Sequence, residues 1–268
     1  MAHPHLWHSK PSRVRMQLPR IHLPRAASGV ALTLAGAAFL LLACAPLGWR
    51  LGWWPYGFGL YWMMPASGYV AAAAVALSVS TLALGWPRLR PRDSCVLFLT
   101  LGLGAFLVYL PWQYSRLRST LPAIHDIITD TDNPPAFSAV LPARAAENSG
   151  DVAYDDPELP QLQAAAYPDV TPLRVALPVS EAFSHALAAA RDMPGWTVVA
   201  ADSDRGHIEA SQQSLWFRFT DDIVIRVSCD EAGSRIDMRS TSRQGRSDYG
   251  VNANRIRAYM TALRKRIG

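Results

Sequence analysis

The chain has 268 residues, half of them hydrophobic, with 26 Lys and Arg against 21 Asp and Glu. Its basic excess would suit a nucleic-acid binder if it were evenly spread, but residues 1–119 hold eleven bases and one acid, Asp93, while residues 120–268 hold fifteen bases and twenty acids. Basic residues beside hydrophobic runs are a membrane-topology signal, which excludes nucleic acid as the partner, and three scattered cysteines (Cys44, Cys95 and Cys229) offer no disulfide framework.

A basic leader, residues 1–25, precedes three apolar runs at 26–47, 64–86 and 95–112. Each approaches or exceeds the roughly 18 to 20 residues that cross a bilayer as a helix. Helix is the form expected there because lipid cannot satisfy exposed backbone groups. Residues 26–112 thus read as a three-helix anchor whose partner is the lipid bilayer. Trp49, Trp53, Trp54, Tyr56, Tyr61 and Trp62 between the first two runs, and Trp86, Trp112 and Tyr114 elsewhere, mark the interfaces. Cys44 follows Leu41-Leu42-Ala43, similar to a lipoprotein cleavage box. The plainer reading is a cysteine inside a membrane helix.

Orientation follows from short-loop charge. Lys10, Arg13, Arg15, Arg20 and Arg25 fill the leader, and Arg88, Arg90 and Arg92 fill the second loop, whereas the first loop carries Arg50 alone. Positive-inside logic puts the leader and second loop in the cytoplasm. The expectation is a multi-pass protein of a bacterial inner membrane, with a periplasmic C-terminal domain. The apolar runs contain no Asp, Glu, Lys, Arg or His, so anchoring fits them better than transport.

Residues 113–174 form a Pro-rich acidic segment, within which 143–163 reads as a linker or long loop. Regular patterning fills residues 175–268. Ser180 is a plausible N-cap for a helix with Phe183, Ala186, Leu187 and Ala190 on its apolar stripe, stopped by Pro194-Gly195. Strands are predicted over 196–201, over 207–219 (where Leu215, Phe217 and Phe219 alternate with Trp216 and Arg218), over 223–229, and around Ile236 and Met238. A turn at Asp230-Glu231-Ala232-Gly233 joins the last two. Ile256, Tyr259, Met260, Leu263 and Ile267 mark a C-terminal helix. The fold class is α+β: three transmembrane helices, then an antiparallel four-stranded sheet with helices on one face, in the order α-β-β-β-β-α.

If Leu215, Phe217, Ile225, Val227 and Met238 face the helices, then Trp216, Arg218, Arg226, Asp237 and Arg239 face away. A turn at Thr220-Asp221-Asp222 brings Trp216 near Arg226, and a six-residue connection sets Arg226 opposite Arg239. Facing like charges need a neutraliser. Either carboxylates supply it, from Asp237, Asp221, Asp222 or Asp248, or an anionic ligand does.

Phe219-Thr220-Asp221-Asp222, followed by Arg239-Ser240-Thr241-Ser242-Arg243-Gln244-Gly245-Arg246-Ser247-Asp248-Tyr249-Gly250-Val251-Asn252-Ala253-Asn254-Arg255-Ile256, resembles the signature of domain-of-unknown-function family 1499. Ile124-His125-Asp126-Ile127-Ile128-Thr129-Asp130 and Ala166-Tyr167-Pro168-Asp169 are similar to its membrane-attached bacterial branch. The resemblance covers about residues 120–268. It implies an envelope-associated domain with no assigned reaction.

Asp130, Asp132 and Asn133 offer oxygens as a calcium loop does, but Pro134-Pro135 occupies the place of the turn glycine. No catalytic group, metal or cofactor is expected. The ligand-binding candidates are Trp216, Arg218, Arg226, Arg239 and Arg243. Asp221, Asp222, Ser240, Ser242, Gly245, Asp248, Gly250, Asn252 and Arg255 read as structural. Gly245 and Gly250 permit tight turns, Asn252 can cap the last helix, and Asp248 can lock the arginines. The preferred function is a periplasmic binding or scaffolding domain, with another envelope protein or an anionic ligand as partner. One alternative is a binder of lipid or another anionic ligand at the outer face of the membrane, and a second is an envelope enzyme built on Asp222, Asp248 and Arg243. Acidic residues 124–137 are expected to dock on the basic end of the domain.

Overall fold

The computed structural model describes residues 23–149, 152–154 and 156–268. Most of the basic leader lies outside the described residues.

Three long helices come first: α1 (Leu23–Arg50), α2 (Tyr56–Gly85, with π-helical Gly59–Met63 in its first turns) and α3 (Pro91–Thr120). All three are long and apolar enough to cross a membrane; α1 and α3 run past both bounds that hydropathy predicts, and α2 past the first. Extra turns at the ends carry Arg50, Arg92, Arg116 and Arg118, where charge can reach water, and Asp93, which is buried and accepts from Ser28 Oγ at 3.4 Å. Helix α1 continues without a break through Cys44. Buried small residues, Ala35, Ala38, Ala45, Ala71, Ala74 and Gly104, let the helices approach closely.

Beyond α3 come β1 (Asp126–Ile128), α4 (Leu141–Ala146), α5 (Leu159–Ala166), β2 (Leu173–Val175), α6 (Val179–Asp192), β3 (Trp196–Asp202), β4 (His207–Gln213), β5 (Thr220–Asp230), β6 (Gly233–Ser242) and α7 (Val251–Ile267). The α6-β3-β4-β5-β6-α7 unit is the predicted meander between helices. The sheet has six strands rather than four, in the order β1-β6-β5-β4-β3, with β2 also pairing to β6. The extra strands are three residues each and exist only because β6 offers an edge, so no local pattern announces them. Gln163 closes the edge beyond β1: its Oε1 accepts from Ile128 N at 2.9 Å and its Nε2 donates to Ile128 O at 2.6 Å.

One face of the sheet packs Ile208, Ile223, Ile225, Val227, Ile236 and Met238 against Phe183, Ala186 and Ala190 of α6 and Ile256, Tyr259, Met260 and Leu263 of α7. Burial of side chains this size contributes about 1.5 to 3 kcal/mol each, and it dominates the stability of the domain. Helix α6 starts one residue before Ser180, so Ser180 is in the first turn and Pro178 holds the cap position.

Three expectations need correction. Residues 143–163, read as a linker, contribute to helices α4 and α5; Pro142 and Pro160 stand in their first turns, where a missing N–H costs nothing. Strand β4 ends at Gln213 rather than running to Phe219. The aromatics of residues 214–219 instead dock on the helical bundle, with the Phe219 ring 5.5 Å from Tyr56 and 6.4 Å from Trp49, and with Phe217 stacked on Phe219. Arg50 donates to the carbonyls of Leu215 and Trp216 in the same loop. Finally, the β5–β6 turn is tight, pairing Asp230 with Gly233, so Arg226 faces Asp237 and Val224 faces Arg239. Gly233 allows this turn, because at φ 136° a Cβ would meet the Val175 carbonyl oxygen at 2.5 Å.

Candidate functional site

Alternation along β5 and β6 sends consecutive signature residues to opposite faces. On the helix face, Asp221 accepts from Arg255 Nη2 at 2.5 Å. The Arg255 guanidinium also donates to Gln212 Oε1 at 2.7 Å, to Ser240 Oγ at 3.0 Å and to Asn252 Oδ1. Asn252 Nδ2 in turn donates to Ser242 Oγ at 3.0 Å and to the His125 carbonyl at 2.9 Å. This buried network rivets α7 to β5, β6 and the segment that leads from α3 into β1.

Asn252 is therefore a network member and not the helix cap. Capping falls to Asp248, whose carboxylate accepts from Gly250 N at 2.9 Å and Asn252 N at 2.8 Å. Burial pushes the Asp248 carboxyl up, against the opposing pull of those backbone N–H bonds. Its bonds are to backbone, whereas Arg239 and Arg243 take other carboxylates. Gly250 precedes the helix at φ 82°, a conformation that glycine adopts at no steric cost. Gly245, at φ 90°, turns the chain after Arg243.

The opposite face is covered by residues 129–149 and 152–154, so it is an interior rather than an open surface. Arg239 makes a fork to Asp126, Nε to Oδ1 at 3.0 Å and Nη2 to Oδ2 at 2.6 Å. It also donates to the carbonyls of Pro135 and Val152 and lies over the rings of Phe137 (5.1 Å) and Tyr154 (5.8 Å). Burial, with Asp126 adding to it, pushes the Tyr154 hydroxyl up to about 12. Arg243 forks onto Asp222 with both bonds at 2.8 Å and reaches Glu147 at 2.6 Å. Asp222 also pairs with Arg144 of α4 at 2.8 Å. Arg226 and Arg235 share Asp237 and Asp130, at 2.6 to 3.2 Å.

At the far side of this face Glu209 is fully buried. Its Oε1 accepts from Ser138 N (2.8 Å), Ser138 Oγ (2.6 Å) and Ala139 N (2.9 Å), while Oε2 accepts from Val140 N at 3.0 Å. His207 Nε2 lies 2.8 Å away. Burial alone would raise this carboxyl, but His207, Ser138 and the backbone N–H groups together hold it down to about 2.

The five ligand candidates therefore separate. Arg226, Arg239 and Arg243 lie under the covering segment, each with a carboxylate within 3.2 Å. Trp216 and Arg218 belong to the loop on the bundle, Arg218 exposed at φ 56°. Arg226 pairs across to His207, six residues along β5 from Thr220, so about 20 Å of strand separates it from the Trp216 loop. Asp126, Asp130, Arg144, Glu147 and Glu209 are the partners that motif reading passes over. For Asp126, Asp130 and Glu147 the trace in the sequence is the acidic balance of residues 120–174 against a basic end. Asp130 also closes an Asx turn, its Oδ1 accepting from Asn133 N at 3.1 Å. Among the described residues, no group of three or more His, Cys, Asp or Glu is placed to hold a metal ion.

A family model described as protein of unknown function, DUF1499, matches residues 126–263, from the first strand to the last turns of α7. No curated protein and no solved structure matches the chain.

Proposed function

The chain belongs to the DUF1499 family, and we propose that it is a multi-pass protein of a bacterial inner membrane whose C-terminal domain is a periplasmic binding or scaffolding module. The observation that carries this reading is the closed lattice on the covered face, where the chain's own carboxylates occupy the arginines that an anionic substrate would need. Such a lattice holds a shape rather than turning over a ligand. The basic leader and second loop support the orientation. A phosphatase reporter fused at Gly268 is expected to be active and one placed in the 87–94 loop silent. The reverse pattern overturns the location. For the role, a benzophenone at exposed Leu215 of the full chain in intact membranes is expected to capture one envelope protein in defined yield.

A second reading, binding of lipid or another anionic ligand at the outer face, is favoured by the loop at the bundle end. Leu215 is 94% exposed there, beside Trp216 and Arg218. Capture of lipid alone by the Leu215 probe would select this reading over scaffolding, and capture of neither would overturn both.

A further inference from the structure

A groove of about 340 Å³ runs between α2 and α3 at the end of the bundle nearest the domain. Gly68 and Pro111 meet in its wall. Gly68 presents no Cβ, and one added there would meet Pro111 at 3.2 Å. Pro111 in turn interrupts the hydrogen-bond ladder of α3. Met64, Ala72 and Val108 make the floor apolar, and exposed Tyr61, Tyr69 and Trp112 stand at its rim, so it opens away from the bundle axis.

Its length and its charge point to one kind of occupant. From Arg118 down to Val108 is ten residues of helix, about 15 Å at 1.5 Å per residue. That is half of a hydrocarbon core about 30 Å thick, and so the depth of one leaflet. The one charged group of its lining sits at the domain end: the Arg118 guanidinium, 5.5 Å from the Tyr61 ring centre, with Ser115 and the Tyr61 hydroxyl near it, while Tyr69 brings a neutral hydroxyl to the rim further along α2. Neither Arg118 nor neighbouring Arg116 has a carboxylate partner among the described residues. A cation at headgroup level above an apolar slot of single-leaflet depth complements an anionic phospholipid, with phosphate at the top and one acyl chain below.

We propose that the groove between α2 and α3 is a phospholipid site, in which an acyl chain lies along Gly68 and Ala72 and an anionic headgroup meets Arg118. This rests on the membrane-spanning reading and deepens the lipid-binding one, placing the lipid on the bundle and away from the covered arginines of the sheet.

The test uses the full chain in nanodiscs of phosphatidylcholine doped with phosphatidylglycerol carrying a diazirine on its acyl chain. Adducts are expected on Met64 and Val108 in excess of those on Phe39, an exposed residue of α1 that serves as the bulk-lipid reference. Arg118→Gln is expected to lower groove labelling by phosphatidylglycerol about fivefold, the factor carried by one basic residue near an anionic surface, and to leave labelling by a diazirine phosphatidylcholine unchanged. Ala72→Phe fills the slot from an already exposed position and should abolish groove adducts with both lipids while the melting curve stays in place. Groove labelling equal to that of Phe39, persistence of adducts in Ala72→Phe, or a dimer mass with the groove unlabelled would each overturn the proposal. Failure of the chain to insert, with Phe39 unlabelled as well, would overturn the membrane-spanning reading instead.

Discussion

Asp221 and Asp222 are consecutive on one strand, yet their carboxylates neutralise arginines on opposite faces of the sheet: Asp221 holds Arg255 at 2.5 Å, and Asp222 holds Arg243 at 2.8 Å. The same division runs along β6, where Arg239 and Arg243 turn to the covered face and Ser240 and Ser242 turn to α7. The signature is thus two interleaved lattices, each drawing on its own set of residues.

This division can be measured. Asp222→Ala removes the carboxylate shared by Arg144 and Arg243 and should cost about 3 to 5 kcal/mol. Arg243→Ala combined with Asp222→Ala should be less than additive by about 1 to 3 kcal/mol. Arg243→Ala combined with Asp221→Ala should add within about 0.5 kcal/mol, because the two side chains share no partner. Unfolding of the full chain in nanodiscs gives all three numbers. Strong coupling between Asp221 and Arg243 would contradict the two-lattice description.

Arg239→Ala should destabilise the domain by about 3 kcal/mol or more, since it leaves buried Asp126 without its fork. Arg239→Lys should recover only part, because an ammonium cannot make the paired contact. Added phosphate should not raise the melting temperature of the wild type. An Arg239→Ala protein that melts at or above the wild-type temperature would mean that the arginine is held in readiness for a ligand.

Glu209 sets an acid limit. Its folded value near 2 lies below that of an unfolded glutamate, about 4.3. The stabilisation it supplies is complete above about pH 4.3, shrinks as the pH falls, and is gone once the pH passes below about 2. The gap corresponds to about 3 kcal/mol. Stability of the wild type should therefore fall more steeply between pH 4.5 and 2 than stability of Glu209→Gln. Parallel pH profiles would show that the carboxylate is not held by residues 138–140 in solution.

Asp248 distinguishes a helix cap from an ion pair. Asp248→Ala leaves two backbone N–H groups unpaired and should cost about 2 kcal/mol. Asp248→Asn keeps one capping oxygen but turns an amide NH2 toward the other N–H, and should cost about 1 kcal/mol, between wild type and the alanine variant. If the charge of Asp248 were what secures the arginines, the asparagine variant would be as damaged as the alanine one. Denaturant unfolding of the three proteins decides it.

Much of the meander was legible because its residues obey local rules. Ile223, Ile225 and Val227 alternate, Phe183, Ala186 and Ala190 recur at helical spacing, and the hydropathy of the three long helices needs no context. What escaped was set by distant chain. Phe217 and Phe219 continue an alternating pattern, yet their partners are Trp49 and Tyr56 on the bundle, so periodicity mistook a docking loop for strand. Strands β1 and β2 are too short to carry a pattern. The sequence sets Arg226 opposite Arg239 and so calls for neutralisers on that face; the observed register puts Asp237 opposite Arg226 instead, but the face does carry several arginines. Asp126 and Asp130, which serve there, lie about a hundred residues upstream, and no spacing rule connects them to β6. Asp248 was assigned to the arginines because it lies among them in sequence, whereas its carboxylate turns inward to the start of α7.

Five residues separate the end of α3 at Thr120 from the start of β1 at Asp126. Fully extended, they reach no more than about 18 Å. Strand β1 is itself stitched to β6 and forked to Arg239. The domain is consequently on a short leash: it cannot swing out into the surrounding space to search for a partner. With the three helices in a bilayer, as proposed, whatever it meets comes to that plane, so encounters are governed by lateral diffusion within it and by the small volume just above it.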